Sequence, residues 1–468
     1  MPRTRTRFPT ELLVQLERDD PIPLHRQLEH ELRGAIRAGR LGAETALPST
    51  RVLADQLELS RGVVVEAYEQ LVAEGYLTSL PGGATRVAAR VLEAPPPTEP
   101  EGAAPEVRIN FAYGRPDVTQ FPRQIWLRSL RRALEDAPSD RLTYLDRRGA
   151  PELRDALAAY LNRVRGTAAI GERVVICNGF AQAIDLVAQL IKVRGGRRIA
   201  VEDPGDRDGR MAVSRHGLEP VPIPVDERGV VVEALGRSEV DAIVLTPAHH
   251  YPTGAVFPPD RRAELVAWAR QRSALILEDD YDAEYRYDRE PIGSIQGLAP
   301  DRVIYAGSAS KTLAPGLRLG WMILPDAEVD TMGMLKDLND RGSPVLEQLA
   351  FADFLSRGEF DRHLRRMRPI YRARRDALLA ALRRHAPALR PVGASAGLHV
   401  LAWLPEGMDE AGVVDRAEAL GVRVNGVSPT HFDPERAPGG LIFGYGTVTE
   451  VEIDEGVRLV AQALDPAR

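Results

Sequence analysis

The chain has 468 residues, of which 44% are hydrophobic, and a formal net charge of −6. Its length is roughly three times that of one domain, so two or three domains with sizeable cores are expected. The single cysteine excludes an internal disulfide framework, the acidic charge excludes nucleic-acid binding by bulk charge alone, and no apolar run reaches the roughly 18 residues of a membrane span.

The first 90 residues are predicted to form helices followed by a hairpin. Their arginine-rich start has no apolar stretch behind it like that of a secretory signal, so a cytoplasmic protein is expected. Apolar spacing predicts a helix over Leu24–Arg37, and glycines end it. Capping residues predict a second helix over Thr50–Leu57 and a third over Arg61–Glu74. Two short apolar strands around the glycine turn in Tyr76–Val87 predict a hairpin.

The second and third helices together predict a helix-turn-helix, a motif whose second helix places its first residues on base edges in the major groove. Here those residues include Ser60 and Arg61, and an arginine can bond guanine through two donors. Arg51 lies early in the preceding helix, where it can reach the DNA backbone or a base edge. Gly82 at the hairpin tip would let a wing approach the minor groove. The alternative is a helical module that only dimerises.

The same block resembles the GntR family of regulators over residues 20–88. The matching motifs are Pro23-Leu24, Leu47–Arg51, Leu59–Arg61, Ala67–Leu71 and Glu74–Leu77. The resemblance implies a winged helix that contacts double-stranded DNA through Ser49, Arg51, Ser60, Arg61 and Gly82. Gly62 departs from the pattern, because the family often has Asn or Thr there, and a phosphate or base contact is thereby in doubt.

A proline-rich stretch, Ala94–Pro105, separates this block from the rest and is typical of a stiff, extended spacer. The predicted domains are therefore a DNA-binding domain at 15–90, a linker at 91–106 and a large domain at 107–468. Within the large domain, a main part extends to about 345 and a small domain covers about 360–468.

The large domain alternates short apolar strands with helices, which favours a mostly parallel α/β sheet. The strands are predicted at Arg173–Cys177, Arg198–Val201, Ala242–Leu245, Ala274–Leu277 and Arg302–Tyr305, with a helix at Asp260–Gln271. A charged helix over Phe360–His385 then leads into a smaller α+β domain.

One lysine stands out among the three in the chain. Lys311 follows a strand and lies beside Ser308 and Ser310, small residues that leave room for a ring and offer hydroxyls to a phosphate. A lysine amine condenses with the aldehyde of pyridoxal 5′-phosphate (PLP), and Arg318 could pair with its phosphate. Lys192 and Lys336 have no such surroundings and are interpreted as surface residues.

The other parts of a PLP site follow neighbouring strands. PLP needs an acid at its pyridine nitrogen, and Asp279, at the end of a strand, is assigned to it, with Tyr281 at the ring hydroxyl. Glu278 and Asp280 are expected on the opposite face. The backbone of Gly179, Phe180 and Ala181 begins a helix and can cradle an anion, and Tyr251 could face the ring.

Taken together, the large domain resembles the fold type I PLP enzymes, the aspartate aminotransferase group, over residues 107–465. In that group the tyrosine corresponding to Tyr144 reaches the phosphate of the partner subunit, so a homodimer is implied. The fusion of both halves resembles the MocR subfamily of GntR regulators, the GabR- and PdxR-like proteins. That resemblance implies a homodimer with exchanged N-terminal domains and an effector that is an amine or PLP itself.

Two departures from the enzymes bear on function. A tyrosine that stacks on PLP is replaced by Asp206, so another group must cover that ring face. The region Gly439–Gly446 lacks the arginine that binds the substrate carboxylate, which argues against transamination of amino acids. His399, His431 and Arg207 are candidates for an effector pocket, although each is interpreted first as a surface or packing residue.

Three functions remain open from the sequence. The favoured one is a PLP-dependent transcription regulator without an assigned catalytic residue or metal site, with vitamin B6 synthesis as the suggested target. The second is an active aminotransferase with a DNA-binding appendage. The third is a DNA-binding protein whose large domain only dimerises and binds no PLP.

Overall fold

The computed structural model describes residues 14, 16–79, 83–89, 107–144, 146–282, 284–287 and 292–465. The chain divides into two compact units, residues 1–104 and 105–468. The predicted linker, 91–106, and Gly82 at the predicted wing tip lie outside the described residues. No helix in the described ranges is both long enough and apolar enough to cross a membrane.

The first unit contains three helices and a short antiparallel hairpin. Its elements are α1 (Leu24–Arg37), α2 (Thr50–Leu57), α3 (Arg61–Ala73), β1 (Leu77–Thr78) and β2 (Arg86–Val87). The predicted helices and hairpin strands are confirmed, and the third helix ends one residue earlier than expected. The hydroxyls of Ser49 and Ser60 accept hydrogen bonds from the first turns of α2 and α3, which fixes where both helices begin.

Buried contacts hold the two helices of the helix-turn-helix at a fixed angle. Leu53 on α2 and Val64 and Leu71 on α3 are 3% exposed or less and share one apolar core. The buried Tyr68 hydroxyl on α3 donates a 3.0 Å hydrogen bond to the carbonyl of Pro48, just before α2. The starts of α2 and α3 therefore keep a defined separation.

The second unit is built on an eight-stranded, mostly parallel sheet with the order β4-β11-β10-β9-β8-β5-β6-β7. The four central pairings, from β10 through β6, are parallel, as predicted. The strands of this unit are β3 (Ile109–Asn110), β4 (Val174–Cys177), β5 (Arg198–Asp203), β6 (Glu219–Asp226), β7 (Gly229–Val230), β8 (Ala242–Leu245), β9 (Leu275–Asp280), β10 (Val303–Ser308), β11 (Gly320–Ile323), β12 (Arg390–Val392), β13 (His399–Trp403), β14 (Val422–Arg423), β15 (Asn425–Gly426) and β16 (Gly440–Gly444).

Helices cover both faces of this sheet, so its central strands are buried on both sides. On β9, Leu275 and Leu277 belong to one apolar cluster while Ile276 belongs to another, as the alternation of a strand requires. The helices are α4 (Arg123–Asp136), α5 (Pro151–Arg165), α6 (Phe180–Val193), α7 (Arg207–Arg215), α8 (Val232–Gly236), α9 (Pro259–Arg272), α10 (Val329–Asp340), α11 (Val345–Ser356), α12 (Glu359–His385), α13 (Glu410–Ala419) and α14 (Glu450–Ala463).

A smaller α+β part, here called the small subdomain, follows α12 and contains the antiparallel sheet β12-β13-β16-β15. It also takes in β3, which comes from the start of the second unit and pairs in parallel with β14. Phe111 extends this attachment, because its N–H bonds Arg423 and its carbonyl accepts from Gly444. This pairing of two-residue strands from distant parts of the chain has no sequence signal of its own.

Candidate functional site

A cavity of about 220 Å³ lies in the second unit, where the strands β8, β9 and β10 end. Crevices at the carboxyl ends of parallel strands are the usual ligand sites of such sheets. Its lining combines apolar side chains, four carboxylates, two cations, hydroxyls and one histidine. The lining residues are Tyr113, Gly114, Phe180, Ile184, Val201, Glu202, Asp206, Gly209, Arg210, Val244, Thr246, Tyr251, Asp279, Tyr281, Asp282, Ser308, Ser310, Lys311, Leu398 and His399.

Lys311 projects into this cavity just beyond β10, together with Ser308 and Ser310. Its Nζ donates a 2.6 Å hydrogen bond to the carbonyl of Gly114. Gly114 has a φ of +74°, and a Cβ there would lie 2.8 Å from the lysine Nζ, so a glycine is needed at this turn. Burial lowers the pKa of Lys311, which favours the neutral, nucleophilic amine.

The two other lysines differ from each other. Lys192 is exposed, as expected, and bonds the carbonyl of His216. The interpretation of Lys336 as a surface residue is wrong, because its side chain is 0% exposed and its Nζ lies 2.6 Å from a carboxylate oxygen of Asp340. Lys336 and Asp340 lie one helical turn apart on α10, so their pairing could be predicted from the sequence, whereas the burial of Lys336 could not.

Of the three consecutive acids at the end of β9, Asp279 is the one that lines the cavity. Alternation along β9 puts it on one face, while Glu278 and Asp280 lie on the other, the arrangement expected from the sequence. Asp279 is 9% exposed, and it has no hydrogen-bond or ion-pair partner within the described residues. Burial raises the pKa of Asp279 well above its usual range, and neighbouring carboxylates including Asp206 add to that effect.

The opposite face of the β9 end holds a buried ion pair. Asp280 receives two hydrogen bonds from Arg165 on α5, at 2.7 and 3.0 Å, and both side chains are 2% exposed or less. The hydroxyl of Tyr305 donates a third bond of 2.6 Å to the same carboxylate. Burial alone would lower the pKa of Arg165, but the charge of Asp280 outweighs it and raises that pKa. This pair anchors the strand end that carries Asp279.

Tyr281 also lines the cavity, and its hydroxyl lies 3.2 Å from Nδ1 of His249. The same nitrogen lies 2.9 Å from a carboxylate oxygen of the buried Asp282. Burial alone would lower the pKa of His249, but the charge of Asp282 outweighs the effect of burial and raises that pKa. The contact with Asp282 thus orients the His249 ring, and its Nδ1 holds the Tyr281 hydroxyl in place.

The predicted anion cradle is the start of α6. Gly179 precedes the helix with a φ of +95°, and the first N–H groups of any helix lack intrahelical partners. The guanidinium of Arg318 reaches this point, where it bonds the carbonyl of Asn178 and approaches Gly179. Phe180 lines the cavity, whereas Gly179, Ala181 and Arg318 are not among its described lining residues.

Two aromatic side chains form one wall of the cavity. Tyr251 and Tyr113 have ring centroids 4.7 Å apart and planes inclined at 30°. Tyr251 was singled out from the sequence, whereas Tyr113 was not. The one sequence signal for Tyr113 is its position directly before Gly114. That position points to the cavity only once the contact between Lys311 and Gly114 is known.

The remaining sequence candidates fall in different places. Asp206 lies at the cavity edge, and its carboxylate caps α7 by accepting from Asp208 and Gly209. His399 lines the cavity, where burial lowers the pKa of this histidine to about 3 and leaves the ring neutral near pH 7. His431 and Arg207 are not among the lining residues. Tyr144 is 87% exposed in the single chain.

In the first unit, the DNA-binding candidates share one exposed surface. Ser49, Arg51, Ser60 and Arg61 surround the starts of α2 and α3, and all four are exposed. Arg51 and Arg61 form no ion pair with any described residue, so both guanidinium groups are available to a ligand. The arrangement can present two cations and two helix N-termini to phosphates or base edges.

The sequence matches two family models. Residues 24–87 match the family described as bacterial regulatory proteins, gntR family, and residues 107–428 match aminotransferase class I and II. Among curated relatives, the chain is 33% identical to a probable rhizopine catabolism regulatory protein, MocR, from Rhizobium meliloti, over 96% of both chains. It is 31% identical to the pyridoxine biosynthesis transcriptional regulator PdxR from Corynebacterium glutamicum, over 94% of this chain and 96% of that one.

The second unit also resembles solved enzymes. A kynurenine aminotransferase from Pyrococcus horikoshii, solved in complex with PMP, superposes with a TM-score of 0.70 at 27% identity. The match covers 78% of this chain and 91% of that structure.

Proposed function

Because the chain belongs to the MocR-type regulators of the GntR family, which join a helix-turn-helix domain to an aminotransferase class I and II domain, we propose that it is a PLP-dependent transcription regulator. Its second unit would bind PLP and sense PLP or an amine, and its first unit would bind operator DNA. The observation that carries this proposal is that one chain contains both the cavity with Lys311 and Asp279 and, at two helix starts, Arg51 and Arg61, which form no ion pair with a described residue.

The residues of the cavity fit PLP. Asp279 is a buried carboxylate without a partner in the described residues, as a group that awaits a ring N–H would be. Lys311 supplies an amine whose pKa is lowered by burial, and the start of α6 with Arg318 supplies an anion site. Tyr281, held by His249, is placed to bond the ring hydroxyl, and Tyr251 and Tyr113 offer aromatic surface in the absence of a tyrosine at position 206.

When bound, PLP supplies an aldehyde that reacts reversibly with primary amines. The chain's own residues would orient it. Lys311 would hold the aldehyde carbon, Asp279 would keep the ring nitrogen protonated, and Arg318 would neutralise the phosphate. Tyr144 would serve the cavity of a second copy, which agrees with its high exposure in one chain. The functional unit in this proposal is a cytoplasmic homodimer with exchanged N-terminal domains.

Catalytic transamination is the second candidate, because the second unit resembles active aminotransferases. The strand that would carry a carboxylate-binding arginine, β16, consists of apolar residues and glycines, which favours sensing over turnover. Steady release of an oxo acid from an amino acid by the purified protein would reverse this ranking.

Control of vitamin B6 synthesis, with PLP as the signal, makes a definite prediction. The affinity of the purified protein for the intergenic DNA beside its gene should differ between PLP-loaded protein and protein stripped of PLP. Fluorescence anisotropy with labelled promoter DNA at fixed salt would measure the two dissociation constants. Equal dissociation constants would exclude PLP as the signal, and an amine would then be the proposed effector.

Replacement of Arg61 tests the DNA-binding part. Because Arg61 is exposed at the start of α3 without an ion-pair partner in the described residues, Arg61→Ala should weaken promoter binding by about 1–3 kcal/mol and leave folding intact. Arg26→Ala, on the exposed surface of α1, is the matched control and should bind nearly as the parent does. Equal losses in both variants would contradict the assignment of α3 as the recognition helix.

A further inference from the structure

Three side chains of the kinds that bind metal ions meet beside the cavity. His249 follows β8, Asp282 follows β9, and His399 begins β13 of the small subdomain. One possible ligand atom from each of the three lies within 4.8 Å of the other two. All three side chains are 3% exposed or less, and among the described residues this is the one group of three or more such side chains.

Backbone carbonyls fix both imidazole rings of this cluster. Nε2 of His249 lies 3.3 Å from the carbonyl oxygen of Gly393, and Nε2 of His399 lies 3.1 Å from that of Pro252. Because a carbonyl oxygen can only accept, Nε2 carries the proton in these contacts, and Nδ1 is the ring nitrogen left for a metal ion. Histidines that bind metals usually donate their other ring N–H to a carbonyl or carboxylate in this way.

A hydrogen-bond network that only orients Tyr281 is the alternative explanation for the cluster. That network needs His249 and Asp282 alone, since Nδ1 of His249 contacts both the Asp282 carboxylate and the Tyr281 hydroxyl. It gives no role to His399, whose Nδ1 has no hydrogen-bond partner among the described residues. The polar atoms of buried side chains are normally bonded to a partner, and a metal ion would supply one for this nitrogen.

We propose that His249, Asp282 and His399 bind a divalent transition-metal ion, and the donor set favours Zn²⁺. Two imidazole nitrogens and one carboxylate oxygen are a common set of protein ligands for zinc, with a further position left open. Calcium and magnesium prefer oxygen ligands throughout, so two histidines argue against both. Asp282 and His399 also line the cavity, which gives the ion a path to the site and turns the open position toward a cavity ligand.

A metal ion at this point would join two parts of the second unit. His249 and Asp282 belong to the strand ends of the eight-stranded sheet, whereas His399 belongs to the small subdomain. On His249, the ion would take the place of the Nδ1 proton that faces Asp282. Because this site uses neither Lys311 nor Asp279, zinc binding can be tested separately from the binding of PLP.

Zinc titration of the purified full-length protein tests the site. After dialysis against a chelator, isothermal titration with ZnCl₂ should show one tight site per chain. His399→Gln and Asp282→Asn each remove one ligand with little change in volume. Each should weaken zinc binding by about 100-fold or more, because the loss of an outer-shell partner alone costs about 10- to 100-fold. Circular dichroism of both variants would establish that they are folded.

His385→Gln is the matched control. His385 lies 3.1 Å from a carboxylate oxygen of Asp454, and no second histidine of the described residues joins that pair. This variant should bind zinc as the parent does. Anomalous scattering at the zinc edge, from crystals of the parent soaked in ZnCl₂, should place the ion among the three ligands. Absence of a tight site in the parent, unchanged binding in both ligand variants, or an ion located elsewhere would each overturn the proposal.

Discussion

Replacement of Lys311 by alanine is expected to abolish the covalent attachment of PLP. Lys311 is the one lysine whose amine lies in the cavity, and its lowered pKa favours the form that attacks an aldehyde. Incubation with PLP, reduction with borohydride and mass spectrometry of the peptides should show a phosphopyridoxyl group on Lys311 in the parent. Lys311→Ala should show none, and its visible absorption band from the bound cofactor should be absent.

Two other variants make this result specific. Lys192→Ala removes an exposed lysine and should label as the parent does. Lys336→Met removes a buried lysine that is paired with Asp340. Because an ion-paired ammonium is not a nucleophile, Lys336 should carry no label in the parent, and its loss should leave the labelling of Lys311 unchanged. Label found on Lys336, or retained absorption in Lys311→Ala, would contradict the assignment.

The second large effect is expected from Asp280→Asn. The substitution leaves Arg165 charged, 2% exposed and without its carboxylate, and the loss of one partner of a buried ion pair costs about 3–5 kcal/mol. Urea unfolding followed by circular dichroism should show a clear drop in the midpoint of the second unit. PLP affinity should fall as well, because the same strand end carries Asp279.

The control for this prediction is a more exposed ion pair between Arg163, on the same helix as Arg165, and Asp361 on α12. Arg163 and Asp361 lie 2.7 Å apart with side chains 58% and 31% exposed, and such pairs contribute about 0–1 kcal/mol. Asp361→Asn should therefore change stability little. A similarly small loss in Asp280→Asn would mean that the buried charge of Arg165 is compensated elsewhere, contrary to the argument.

Local signals account for what the sequence predicted well. The starts of α2 and α3 depend on Ser49 and Ser60, whose capping hydroxyls act on the next turn of the chain. The assignment of Asp279 to one face and of Asp280 to the other depends only on strand alternation. In such cases the residues that determine the structure are neighbours in the sequence.

Tertiary packing accounts for what the sequence did not predict. Lys336 resembles a surface residue until α10 is packed, and Arg210 resembles one of many arginines until α7 reaches the cavity wall. Tyr113 joins Tyr251 only because β3 pairs with β14, more than 300 residues away. Contacts between remote parts of the chain determine where these three side chains lie, and no periodicity of the sequence predicts such contacts.

The pairing of β3 with β14 also determines which part of the second unit holds its first strand. Residues 108–111 bond Gly421 and Arg423, so the first described segment of the second unit is anchored to the small subdomain. Gly114, three residues beyond Phe111, then contacts Lys311. The first described segment of the second unit is therefore bonded to the C-terminal part of the sequence rather than to the eight-stranded sheet, and a shift of that part would move residues 108–111 with it.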